Sequence, residues 1–282
     1  MDDHAALRLR DVVVRRHGHD GAPLLLLDRV DWTVRAGEQW VVLGPNGAGK
    51  STLLRLAAGG MQPSSGSVHV LGARVGRVDL RDLRERIGIV DAATARALRP
   101  SLTGHEVALT GIFGSVALQR RRLRPVHDER VRRALRLVGA ESLADRRFED
   151  ASQGERQRLL LARALVGRGG DGPELLLLDE PAAGLDLPSR ERLVGALAVS
   201  AAARPDLPTV TVTHHLEEIP PTTTHALLLR AGRVVDAGPV AATLRSDPVG
   251  ACFGLPVDVA RTSGRWRAQV SVDAWHLLDG AG

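Results

Sequence analysis

Five short stretches read as apolar runs: LRLRDVVV (7–14), QWVVLG (39–44), ELLLLD (174–179), PTVTVT (208–213) and HALLLR (225–230). A strand that is apolar on both faces suits a parallel sheet covered by helices on each side, because neither face meets water. Between these runs the apolar spacing becomes helical, in KSTLLRLAAG (50–59), GERQRLLLARALVG (154–167) and SRERLVGALAVSAA (189–202). Strands alternating with helices predict an α/β fold. Residues 79–150 break the rhythm. They are rich in Arg and Ala at helical spacing, as in DERVRRALRLVGA (128–140), and predict a helical insertion between two parts of the core. GRVVDAGP (232–239) reads as a strand leaving a turn. In the last segment, 248–282, two alternating runs flank Thr-Ser-Gly in VDVARTSGRWRAQVSV and predict a small hairpin. There is no internal repeat.

Composition narrows the class. The 282 residues suffice for one large domain or two small ones. Aromatic residues are only 2% and tyrosine is absent, so the core must rest on Leu, Val and Ala. The net charge of +5 is mild and spread along the chain, which fits an anionic ligand or a membrane-surface neighbour. Cys252 is the only cysteine, so no intrachain disulfide can form, and a reducing cytoplasm is the expected home. No apolar run approaches the 18 or so residues of a membrane span. The N-terminal MDDHAALRLR lacks a signal-peptide core. The expectation is a soluble protein, or one peripheral to a membrane component.

The chemistry begins at GPNGAGKST (44–52), which fits G-x-x-x-x-G-K-[ST] between an apolar run and a helical one. Gly44, Pro45, Asn46, Gly47, Ala48, Gly49, Lys50, Ser51 and Thr52 form the predicted loop. Gly44, Gly47 and Gly49 let the backbone curl so that its N–H groups point at phosphate oxygens, and the helix N-terminus adds partial positive charge. Lys50 would bridge the outer phosphates and Ser51 would offer a hydroxyl to Mg²⁺. The plain alternative is a glycine-rich turn that caps a helix. Lys50 is the only lysine among 38 Lys and Arg residues. An ammonium is a compact point charge and a guanidinium a broad planar fork, so a closed phosphate nest has room for the first. The run GPELLLLDEP (172–181) ends in Asp179 and Glu180, at the carboxyl end of a strand where side chains face the ligand crevice. Asp179 would hold Mg²⁺, directly or through water, and Glu180 would be the general base that activates the attacking water. Two solvated acids at a capped turn would look the same locally.

ASQGERQRLLLARAL (151–165) completes a pattern. Taken alone, Ser152 with Glu155 three residues on is a capping box, and the segment would be a capped helix. In order, the chain shows a phosphate loop, a helical insertion, this segment, the acidic strand, AAGLD (182–186) and VTHH (212–215). In that order it resembles the nucleotide-binding subunit of ATP-binding cassette (ABC) ATPases, over about residues 7–245. The resemblance implies a P-loop NTPase cassette: a RecA-like parallel core, an antiparallel N-terminal β part and an inserted helical subdomain. The ATPase domain would span residues 1–247, with the helical subdomain at about 79–160, and a C-terminal tail would span 248–282. It also implies that two cassettes clamp two ATP molecules head to tail. Ser152 and Gly154 of one subunit would meet the γ-phosphate held by Lys50 of the other. Asp186 would cross-link the two sites, and His214 would contact the γ-phosphate and position the water. The implied partners are a second copy, or a related cassette, upon ATP binding, and a separate integral-membrane permease. The implied location is the cytoplasm, at the inner face of the membrane, and no nucleic acid is expected.

The chain departs from the family pattern at several positions. Where the family has an adenine-stacking aromatic, VVVRRHG (12–18) offers Arg16 or His17, and an arginine plane can stack on a base. Where it has a glutamine after the strand entering the insertion, RIGIVDAAT (86–94) offers Asp91 and Ala92, so Asp91 becomes a candidate metal ligand. Ala151, Gln153 and Glu155 replace the commoner Leu, Gly and Gln of the signature. SQGE, THHLEEIPP (213–221) and FGLPVDV (253–259) resemble a subgroup of small cytosolic cassettes associated with molybdenum or metal handling. QRRRLRP (119–125) is a local basic cluster, read as a solvated loop, with lipid headgroups or nucleic acid as the other partners; no aromatics interleave it. Three functions compete: an ATPase subunit driving a permease, a cassette ATPase with no permease, and a nucleotide sensor that hardly hydrolyses. Glu180 and His214 argue against the third. A chromosome-clamp ATPase would need a long coiled coil between phosphate loop and signature, which is absent.

Overall fold

Four of the five apolar runs become neighbours in one sheet, in a computed structural model that describes residues 5–17, 23–167 and 172–270; the fifth, 7–14, falls in a separate antiparallel sheet. The strands are β3 (Gln39–Leu43), β6 (Ile87–Val90), β7 (Leu175–Asp179), β8 (Thr209–Thr213), β9 (His225–Arg230) and β10 (Arg233–Pro239), in the order β10-β9-β3-β8-β7-β6. All run parallel except β10, which closes one edge antiparallel to β9. Both faces are covered, and the pleat shows how. Val41, Leu43, Ala226 and Leu228 pack into one core, while Val42, Val210, Val212, Leu227 and Leu229 pack into another. Every one of these side chains is fully buried, which is why β3 and β9 read as continuous apolar runs, whereas β8 alternates buried Val with buried Thr.

A second, antiparallel sheet lies over the N-terminal side. It contains β1 (Ala5–His17), β2 (Pro23–Arg35), β4 (Ser65–Val70) and β5 (Ala73–Arg74), ordered β2-β1-β4-β5. Periodicity did not single out β2 or β4. In β2 the apolar run continues into solvent at Leu24 and Leu25, and only Leu27, Val30, Trp32 and Val34 face the core. In β4 (SGSVHV) only Val68 and Val70 are buried. Helix α1 (Lys50–Ala57) sits between the two sheets, with Leu53, Leu54 and Leu56 in the core they share.

Helices α2 (Leu80–Arg86), α3 (Ala92–Ala97), α4 (Gly104–Thr110), α5 (Pro125–Leu137) and α6 (Gln153–Val166) make up most of the region expected to be an insertion. Strand β6 falls inside it and belongs to the central sheet, so the stretch from 79 is helical only on either side of Ile87–Val90. Thr103 and Glu106 cap α4 reciprocally at 3.2 Å, and Pro125 starts α5 at a position where no backbone donor is needed. Leu159 to Val166 of α6 are all buried. Among them Arg163 is pinned by its Nε to Thr110 Oγ1 at 3.0 Å and by an amino group to the Ser115 carbonyl at 2.9 Å. Burial pushes its guanidinium down to about 10, and Asp91 pulls the other way. The basic cluster is not free: Arg120 pairs with Glu106 at 2.7 Å, and Arg122 lies over the Phe113 ring while reaching Glu85.

Helix α7 (Leu187–Ala203) precedes β8. Helices α8 (Val240–Thr243) and α9 (Ser246–Phe253) and strands β11 (Asp258–Thr262) and β12 (Arg265–Gln269) follow β10. β11 and β12 pair antiparallel around Ser263-Gly264. The boundary expected at 247/248 falls inside α9. Leu244, Val249, Cys252 and Trp266 share a core with Val41, Leu43 and Leu228, so this part of the chain forms a layer on the central sheet rather than a separate module. Each large apolar side chain buried there contributes about 1.5–3 kcal/mol.

Candidate functional site

Strand register brings the candidate residues to one edge. Leu43 pairs with Thr213 and Val212 with Asp179, so Gly44, His214 and Glu180 all emerge where β3, β8 and β7 end. Val90 pairs with Leu178, which brings Asp91 out beside Asp179. Crevices beyond the carboxyl ends of parallel strands are where such sheets hold ligands.

The phosphate loop curls between Gly44 and Lys50. Gly49 is the residue before α1, with φ 104°, and has no side chain to cap the helix, so the first-turn N–H groups remain for a ligand. At Gly44 a methyl group would sit 2.0 Å from the Leu229 carbonyl oxygen of the neighbouring strand. Gly44→Ala must therefore push the loop away from β9, and we expect about 2 kcal/mol lower stability in chemical denaturation, together with weaker nucleotide binding. Lys50 is 5% exposed. Its Nζ donates to the Gly44 carbonyl at 2.7 Å and to the Pro45 carbonyl at 3.0 Å. An ammonium has three donors, so one N–H remains for an anion. Burial lowers the Lys50 pKa, and the charges of Glu180 and Asp179 oppose that shift.

Ser51 Oγ donates to Asp179 Oδ1 at 3.3 Å. Burial raises the Asp179 carboxyl above its ordinary value; the Ser51 hydrogen bond opposes the rise, and Glu180 and Asp91 add to it. Such a carboxylate is stabilised by a cation. Ser51, Asp179 and Asp91 line one cavity of about 120 Å³ with Arg55 and Arg96. Among the described residues no group of three or more His, Cys, Asp and Glu side chains forms a cage for a metal. A hydroxyl and one carboxylate beside a phosphate cradle fit Mg²⁺, which keeps several waters and takes further oxygens from substrate phosphates. Asp91 also has a structural task, since its carboxylate caps α3 by accepting from the Thr94 N–H at 2.5 Å.

Glu180 has φ 47°, a left-handed conformation unusual for a residue with a side chain. Its N–H donates to the Val212 carbonyl at 3.0 Å, and its Oε1 lies 3.2 Å from His214 Nδ1. Both side chains are about one-third exposed, open enough to meet a ligand. The loop beyond is fixed by Thr213, whose hydroxyl donates to Glu218 and accepts from the His215 N–H.

Ser152, Gly154 and Asp186 form a second cluster. Ser152 caps α6 in a box with Glu155, Ser152 N–H reaching the Glu155 carboxylate at 2.8 Å. Gln153 donates to the Ala183 carbonyl at 3.0 Å, a link the sequence did not reveal. A methyl group at Gly154 would sit 2.6 Å from Ser189 Cβ, so the starts of α6 and α7 press together. Asp186 caps α7 at the Ser189 N–H, and hydrogen bonds with Ser189 hold its carboxyl below the usual range. Among the described residues, no hydrogen bond or ion pair joins Ser152, Gly154 or Asp186 to the phosphate loop. Arg16 is exposed on β1 opposite Leu24, in the antiparallel sheet whose Leu26 carbonyl approaches Gly49.

The chain is similar to known proteins in sequence and fold. A family model described as "ABC transporter" matches residues 27–183. The "Uncharacterized ABC transporter ATP-binding protein YlmA" of Bacillus subtilis is 38% identical over 90% of this chain and 92% of its own length. The "Hemin import ATP-binding protein HmuV" of Rhodopseudomonas palustris is 34% identical over 83% of this chain and 84% of its own. A solved dimeric structure of an ATP-binding cassette in a post-hydrolysis state, bound to ADP and Pi, superposes with a TM-score of 0.68 at 25% identity, covering 83% of this chain and 98% of that one.

Proposed function

The chain belongs to the ABC transporter family of ATP-binding, ATP-hydrolysing subunits, and on that premise we propose that it powers a separate integral-membrane permease through the site at the ends of β3, β8 and β7. One observation carries the residue assignment: register brings Lys50, Ser51, Asp179, Glu180 and His214 together from segments scattered over 165 positions of sequence. The free N–H of Lys50 and the uncapped first turn of α1 hold the terminal phosphates. Ser51 and Asp179 would hold Mg²⁺, which would supply positive charge to the transferred phosphoryl group. Glu180 Oε accepts a proton from the water that attacks phosphorus, and ADP leaves opposite. His214, 3.2 Å from Glu180, contacts the γ-phosphate and positions the water. Arg16 lies flat against the adenine, and Asp91 adds a carboxylate beside Asp179.

Ser152, Gly154 and Asp186 make no bond to their own phosphate loop, which fits a role across a dimer. Two copies close head to tail on ATP, each signature segment donating its helix N-terminus to the other copy's γ-phosphate. The dimeric cassette structure supports that assembly. The ATPase domain spans residues 1–247, with a helical subdomain at about 79–160 inserted in its core. No described helix is long and apolar enough to cross a membrane.

Affinity purification of the chain from detergent-solubilised membranes of its source organism tests the partnership. The expected result is a multi-span protein recovered in stoichiometric amount, which raises ATP turnover; EDTA abolishes that turnover. Turnover that no membrane fraction alters, with no such protein recovered, would count for a cassette that works alone.

A further inference from the structure

The hairpin of β11 and β12 touches the catalytic edge at one polar point. Arg265 Nη1 donates to Glu191 Oε2 at 2.6 Å, and its Nη2 donates to Glu191 Oε1 at 3.4 Å and to the Glu217 carbonyl at 2.5 Å. Glu191 lies on α7, five residues beyond Asp186, which caps that helix. Glu217 lies in the short turn Leu216–Glu218, immediately after His214 and His215. One guanidinium therefore joins the loop that carries His214 to the helix that starts at Asp186. The arrangement is firmly seated. The next residue, Trp266, is buried with Leu216 and Ile219 of the same loop, and the hairpin and His214 line opposite sides of one cavity of about 190 Å³. Arg265 Nε is buried without a hydrogen-bond partner. The side chain gives up that bond while keeping both amino groups on the two elements it bridges.

We propose that Arg265 is a positioning residue for ATP hydrolysis: its planar fork sets the distance between the His214 loop and α7, and so the placement of His214 against Glu180 within the site proposed above. The fork shape matters, because three donor contacts in one plane fix two partners at once, whereas an ammonium on a flexible stem does not. The hairpin is thereby a working part of the ATPase. Among the described residues no hydrogen bond or ion pair joins Arg265 to the phosphate cradle, so nucleotide affinity should not depend on it.

Steady-state kinetics with Mg²⁺ and ATP, together with equilibrium nucleotide binding, test this on the full chain. Arg265→Ala is expected to lower kcat about 5- to 10-fold with KM and nucleotide affinity within about twofold of wild type. Arg265→Lys should recover less than half of that loss. Glu191→Ala should lower kcat about 2- to 5-fold, and the double variant should be no worse than Arg265→Ala alone, because both changes cut one link. Wild-type kcat in Arg265→Ala, or a raised KM with kcat unchanged, overturns the proposal. Were Arg265→Ala not to fold, wild-type kcat in Glu191→Ala would overturn it alone. Lys50→Ala in the same assay separates the two readings. If it hydrolyses ATP like wild type, the site assignment itself is wrong. If it is inactive while Arg265→Ala is fully active, only the positioning role fails.

Discussion

Glu180→Gln is expected to cut ATP turnover by at least about 100-fold, the span a positioned general base contributes. The substitution is nearly isosteric. It keeps the length of the side chain and the left-handed backbone at φ 47°, so the about 1–3 kcal/mol that such a conformation costs is the same in both proteins. What is lost is the carboxylate that accepts the water's proton, and with it one negative charge that repels the anionic terminal phosphate. Binding should therefore be retained or improved while chemistry stops. The variant should accumulate as an ATP-bound dimer that elutes earlier on size exclusion than the nucleotide-free protein. Wild-type hydrolysis in Glu180→Gln would mean that the proton goes elsewhere, and His214, 3.2 Å away, would be the next group to examine.

Substitution of the lone lysine should be almost as severe. Lys50→Ala leaves the Gly44 and Pro45 carbonyls without their donor, at about 1–3 kcal/mol for each buried group left unpaired. It also removes the N–H that reaches the phosphates. Together these should weaken ATP binding by about two orders of magnitude, roughly 2.7 kcal/mol, as read by nucleotide titration. Lys50→Arg is the sharper experiment, because it keeps the charge. The ammonium sits in a pocket that leaves the residue 5% exposed, held by two carbonyls at 2.7 and 3.0 Å. A guanidinium is wider and planar, and in that space it must either displace the loop or leave it. Turnover is expected to fall about 100-fold, as for loss of one preorganised donor. Full turnover in Lys50→Arg would show that charge alone suffices.

Several features were legible in the sequence for physical reasons. Strands β3, β7 and β9 were visible because both of their faces are buried, which writes an unbroken apolar run, whereas the four-residue β6 was not singled out by its pattern. The phosphate loop was visible because Gly44 and Gly49 admit no side chain where the backbone approaches Leu229 and Leu26. The caps at Ser152 and Thr103 follow from their short hydroxyls and the Glu three residues on. The half-solvated strands β2 and β4 were not legible, since their apolar positions are interrupted or run on into water. Asp91 was legible only as a departure from a family pattern, and the structure adds that it caps α3 while lining the cavity of Ser51 and Asp179.

By itself the sequence determined which residue types stand at each strand end, because local rules of turn, cap and periodicity act within a few residues. It determined the single lysine, the acidic pair and the order of motifs. Only the tertiary structure decided which strand ends meet. The register Leu43–Thr213 and Val212–Asp179 is a long-range pairing that no local pattern encodes, and it is what converts separate motifs into one site. The same holds for Arg265. In sequence it is one of 37 arginines in a chain where arginine is nearly the only cation. The burial of Trp266 in one core with Leu216 and Ile219 carries it to the His214 loop, because that packing fixes the hairpin against the Leu216–Glu218 turn.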